Sequence, residues 1–216
     1  MILKILLKEL NKAKFFLLFW IITIFSAMSL INLVLSGSTR GALTSLVGAA
    51  FVVMGIFISI SLIENYESHH RGYDIMLIMP VKLLDIIMAK FLALLIIMGT
   101  SICSVLPFVL AYGVEPLATH ALMISINLAL VIGGLFHLGI ARLGFEKCLN
   151  ILLFGAGTAG FVVLLILQII GRSKDPGTIE NFALLISKWP VLLISILTYF
   201  LLMLLTVKVK ARYPNR

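Results

Sequence analysis

Apolar residues run through this chain in long blocks, and the few charged residues gather between them. Six stretches have no Asp, Glu, Lys or Arg in their interior: 15–35, 41–63, 91–112, 118–141, 149–170 and 190–209. About 20 apolar residues are needed to cross the roughly 30 Å hydrocarbon core of a bilayer. In lipid the backbone must find its hydrogen-bond partners internally, which a helix does within one segment. The pattern therefore predicts an all-α integral membrane protein with six transmembrane helices. Ahead of the first span, Leu3, Leu6, Leu7 and Leu10 share one helical face and Lys4, Lys8 and Lys12 share another. This predicts an amphipathic helix over residues 1–14 in the inner interface. The whole chain, 1–216, reads as a single transmembrane domain.

Composition supports the same solvent. Of 216 residues, 62% are hydrophobic and 12% charged, whereas soluble domains run near 45–50% and about 25%. A formal net charge of +8 would suggest nucleic acid in a soluble protein. Here the basic residues sit at span ends, with no basic face interleaved with aromatics, which excludes that class. Their distribution also sets orientation. Thirteen Lys and Arg fall on the side of the termini, of 64–90 and of Arg142–Lys147, and four fall opposite: Arg40, Arg172, Lys174 and Lys188. The positive-inside rule then places both termini in the cytoplasm, and the expected location is the plasma membrane. Cys103 and Cys148 are too few and too scattered for a disulfide framework. Residues 1–14 are too charged for a signal-peptide core and read as no removable targeting segment.

Motifs are few. Gly155–Gly160 matches GxGxxG, but it falls inside an apolar span, where small residues serve close helix packing instead of a dinucleotide. His137 lies well inside a span. With no acid or second His on its own helix, it reads as a neutral histidine bonded to a neighbouring helix, although intramembrane ionisable groups are functional candidates. His69-His70 lacks further ligands at metal spacing. HExxH, GxSxG and GxxxxGK[ST] do not occur, so a zinc protease, a nucleophile elbow and a P-loop are not indicated. The spans also lack the carboxylates that carry coupling ions in ion-driven transporters. Uphill transport by this chain would need energy from a partner.

The connection 64–90 is the largest polar piece. A charged entry through Glu64, Glu67 and Arg71 leads past Gly72 and Tyr73 to Asp74, then to the apolar run Ile75-Met76-Leu77-Ile78-Met79, then to Pro80. Asp74 suits a helix start and Pro80 a stop. Five consecutive apolar residues in a cytoplasmic loop need burial in the interface or against a protein. The outer connections near 36–40 and 113–119 are short, and 171–189 is longer, with a turn at Lys174-Asp175-Pro176-Gly177.

Acidic residues, an apolar segment, a Pro and then Lys90 opening the third span make this loop resemble that of the ABC type-2 exporter permeases. Within that family the chain is similar to the exporters of phenol-soluble modulins and related peptides, though without a large outer domain. The resemblance implies a paired permease, with an identical or sister copy. It also implies a cytoplasmic ABC ATPase docked on Glu64, Glu67, Arg71, Tyr73, Asp74, Ile75, Met76, Ile78, Met79 and Pro80. ATP and magnesium would sit on that partner, with no cofactor and no catalytic residue in this chain. The expected cargo is amphipathic peptide or other hydrophobic material, in a cavity lined by weak polar groups such as Thr23, Asn32 and Asn127. The alternative is the substrate-binding membrane subunit of a vitamin importer. Such subunits dock mainly through small-residue helix faces, whereas this chain has a 27-residue loop.

Overall fold

The computed structural model describes residues 2–34, 38–69, 82–111, 116–151 and 188–212. Every regular element among them is helical: α1 (Ile2–Val34), α2 (Ser38–His69), α3 (Leu83–Ala111), α4 (Pro116–Leu143), the described start of α5 (145–151) and α6 (Trp189–Arg212). Helices α1, α2, α3, α4 and α6 are each long and apolar enough to cross a membrane. The fifth expected span, 149–170, lies outside the described residues beyond 151, together with Gly155–Gly160 and most of the connection 171–189.

Two boundaries differ from the sequence reading. The expected interfacial helix 1–14 and first span are one helix of 33 residues, about 50 Å long at 1.5 Å per residue. Residues 2–34 contain no Gly or Pro to break it. One buried stripe, Glu9, Ala13, Trp20, Ile24 and Met28, also carries the same packing face across the expected border. The connection 64–90 is likewise shorter than expected. α2 continues through His69 and α3 begins at Leu83, so both ends of that stretch are helical.

The helices form an up-and-down bundle. Gly48 of α2 lies against Met28 of α1 and Val105 of α3, and Gly133 of α4 faces Leu94 of α3 and Ile56 of α2. These levels bring the first turns of α1 and α3 and the last turns of α2, α4 and α6 to one end. α1 packs on α2 and α3; α4 packs on α2, α3 and α6; α3 also touches α6. Of the most apolar stretch of each helix, 56% is buried in α3 but 17% in α1 and 28% in α6. Thus α3 is central and α1 and α6 flank it. The main core joins Val52, Ile56 and Ile60 of α2, Phe91, Leu94 and Met98 of α3, Leu130, Phe136 and Ile140 of α4, and Tyr199 and Met203 of α6.

Close approach depends on small residues, as in membrane bundles generally. A methyl group on Gly55 would fall 2.5 Å from Nε1 of Trp20, so the indole can lie on α2 only where a side chain is missing. At the end of α4, Gly144 has φ of 85° and its N–H donates to the Ile140 carbonyl at 2.9 Å. It closes the helix as a left-handed glycine and turns the chain into α5.

Candidate functional site

The end of the bundle that gathers α2, α3, α4 and α6 contains charges inside the packing. Glu64 is one helical turn beyond Ile60 on α2, and Lys90 is the eighth residue of α3. Antiparallel packing brings them level. Lys90 Nζ donates to Glu64 Oε1 at 2.6 Å, with both side chains almost wholly buried. His137 enters from α4, its Nδ1 3.7 Å from the same oxygen. One carboxylate therefore faces a cation from α3 and an imidazole from α4.

Aromatic contacts surround the cluster. The centre of the Phe91 ring lies 4.9 Å from that of His137 and 4.9 Å from that of Tyr199, both pairs tilted. Tyr199 Oη donates to the Phe91 carbonyl at 2.7 Å across α6 and α3. Two small cavities, each about 10 Å³, flank the cluster, about the volume one water molecule needs. Ser59 lines the first together with Lys90 and His137. Its hydroxyl is buried and has no hydrogen-bond partner among the described residues. Thr206 and the buried Lys210 of α6 line the second, again with Lys90 and His137.

In water an ion pair contributes little, but in a low-dielectric interior it is costly to desolvate and costly to break. Intramembrane charges accordingly face the bundle interior and pair with one another. Glu64, Lys90 and His137 do so at the base of the connection between α2 and α3. The Glu64–Lys90 pair ties its two ends to each other, and His137 places α4 beside the pair.

The sequence-derived site residues fall in several places. Glu64, expected on the ATPase-docking surface, is 2% exposed and turned into the bundle. The correction has a simple cause: α2 runs past residue 64 for five more residues, so Glu64 belongs to the packed helix. Glu67 is on the same helix, but its side chain lies outside the described residues, as do Arg71, Tyr73, Asp74, Ile75, Met76, Ile78, Met79 and Pro80 altogether. Of the cavity candidates, Thr23 donates its hydroxyl back to the Phe19 carbonyl at 2.9 Å on the lightly buried α1. Asn127 is buried on α4, and the Asn32 side chain lies outside the described residues. Neither Thr23 nor Asn127 lines the two cavities at the cluster.

Sequence reasoning found no acid on the helix of His137 and looked to a neighbouring helix. The acid beside it, Glu64, is on α2. Tyr199, Thr206 and Lys210 were missed too, although Ser195, Tyr199, Thr206 and Lys210 recur on one face of an otherwise apolar helix. A polar stripe of that kind marks the inward side of a membrane helix. Among the described residues no group of three or more His, Cys, Asp or Glu could hold a metal ion. Cys148 is buried, and its thiol faces the Phe136 carbonyl at 3.7 Å.

Comparison with protein-family models, with curated proteins and with solved structures finds no match to the chain.

Proposed function

We propose that this protein is the membrane-spanning permease subunit of an ATP-driven exporter. It has six spans and cytoplasmic termini in the plasma membrane, and it works as a pair with a cytoplasmic ABC ATPase. Its cargo is amphipathic peptide or similar hydrophobic material. The observation that carries the reading is the buried Glu64–Lys90 pair, which joins the two ends of the connection on which an ATPase would press. A connection clamped at its base and held to α4 through His137 passes a push to three helices at once. A connection with loose ends would absorb it. Bundles that switch between two packings are moved in this way. The rest of the loop, Glu67 to Pro80, supplies the contact surface in this reading, and ATP and magnesium stay on the partner.

The vitamin-importer alternative gains nothing from the cavities at the cluster. Each is about 10 Å³, against the roughly 300–1,000 Å³ of small-molecule pockets.

The decisive experiment purifies the chain from its native membrane and reconstitutes it with the ATPase that accompanies it. Transport of amphipathic helical peptide should require ATP and persist with proton and sodium gradients collapsed. Glu64→Lys and Lys90→Glu should each uncouple hydrolysis from transport, and the double exchange should restore coupling. Transport that follows an ion gradient and ignores ATP refutes the exporter reading. A cysteine at Ser68 that labels from outside intact cells refutes the orientation.

A further inference from the structure

A second feature lies on the opposite flank. Leu7, Leu10, Asn11, Lys14, Leu17, Leu18 and Ile21 share one face of α1, each three or four residues from another of the set. With Ile96 of α3 they line an open groove of about 490 Å³. Its floor is preformed, because Leu10 and Leu17 pack against buried Ala13, Ile63 and Ile97. Nearly all of its lining is apolar, and one cation interrupts it.

That cation is Lys14. It immediately precedes the stretch 15–35 that the sequence marks as lipid-crossing, and it is exposed. Its Nζ rests 5.1 Å from the centre of the Phe15 ring, and it makes no ion pair among the described residues. Lys12, two positions earlier, differs: it is bound to Glu9 at 2.9 Å. The groove thus offers an apolar channel through Leu17, Leu18, Ile21 and Ile96, and a positive charge with an amide, Asn11, where the channel meets the interface. A long basic side chain at that depth lifts its head to the headgroup layer, where it attracts anionic lipid.

We infer that this groove seats a bilayer phospholipid with an anionic headgroup. The acyl chain lies along Leu17, Leu18, Ile21 and Ile96, and the phosphate meets Lys14 and Asn11. The seat is independent of the exporter reading and holds for any membrane role of the chain. A zwitterionic lipid would fill the same channel but bring its own cation to Lys14, so selectivity belongs to the charge and not to the chain.

The test uses the full chain in mild detergent. Phosphatidylglycerol and phosphatidylcholine of identical acyl composition are titrated and bound lipid is counted by native mass spectrometry. Phosphatidylglycerol should bind several-fold more tightly. Lys14→Gln should weaken it about five-fold, what one basic residue contributes at an anionic surface, and leave phosphatidylcholine unchanged. Lys8→Gln, also exposed on α1 but outside the groove, should change neither. Equal binding of the two lipids overturns the proposal, and so does an equal loss from Lys8→Gln, which would indicate diffuse attraction. Leu18→Cys, in a chain free of other cysteines, should not form disulfide-linked dimers in a bilayer. If it does so efficiently, a second copy of the chain occupies the groove instead.

Discussion

The charged cluster and the outer faces of α1 and α6 invert the rule of soluble proteins. Glu64 and Lys90 are 2% and 4% exposed, while Phe15, Leu33 and Leu197 are 77%, 84% and 69% exposed. In water this would be an unstable arrangement. In a bilayer it is the stable one, because lipid tails are as apolar as Leu and burying Leu between helices gains little over leaving it in lipid. A charge gains a great deal by leaving hydrocarbon for a partner. Close small-residue contacts therefore pack this bundle, and its buried charges are kept inside by the cost of separating them, with the exposed apolar faces meeting the tails.

The sharpest way to break that contrast is to remove one partner of the pair. Lys90→Met should cost about 3–5 kcal/mol by leaving the buried Glu64 carboxylate without the cation it meets at 2.6 Å, read as a fall in the unfolding midpoint in detergent. Glu64→Leu with Lys90→Met should recover most of that loss, since an apolar pair of similar volume is close to neutral in such a place. If the double variant is as unstable as the single one, the loss comes from the pair's own attraction and not from an uncompensated charge.

A smaller effect is expected where helices touch through glycine. A methyl on Gly134 would lie 2.8 Å from Leu202 Cδ1, so Gly134→Val should push α4 from α6 and cost about 1–3 kcal/mol by overpacking. Thermal unfolding should then show a drop, whereas the same change at Gly99, where a methyl meets nothing within 4 Å, should not show the same drop.

Tyr199→Phe removes a single interhelical hydrogen bond to the Phe91 carbonyl and keeps the ring stack. The expected loss is about 1 kcal/mol, detectable as a small midpoint shift. Smallest of all, Leu197→Ala on the lipid-facing side of α6 should stay within about 0.5 kcal/mol. A large loss there would mean that the face is covered by protein and not by tails.

How much of this was legible in the residues can be judged element by element. The helical character of α2, α4 and α6 and the approximate limits of α4 and α6 follow from charge-free stretches of bilayer length, because the cost of an unpaired charge in lipid applies to each position separately; the end of α2 at His69 does not. The continuity of α1 was not legible. Its amphipathic first turns look like an interfacial helix, and only the buried stripe from Glu9 to Met28 shows one packing face. Glu64 and Lys90 were both noticed as marks on either side of a loop. Their facing each other was not, because 26 residues separate them.

The sequence by itself determined the solvent of this protein and its helical class. Those are sums over single residues, each free energy of transfer counted on its own. Only the tertiary structure decided which charges leave the lipid together, that His137 finds its acid on α2, and that Lys210 turns inward while Lys14 stays out beside an apolar groove. Those are properties of pairs brought level by antiparallel packing, and no transfer energy of one residue contains the register of another helix.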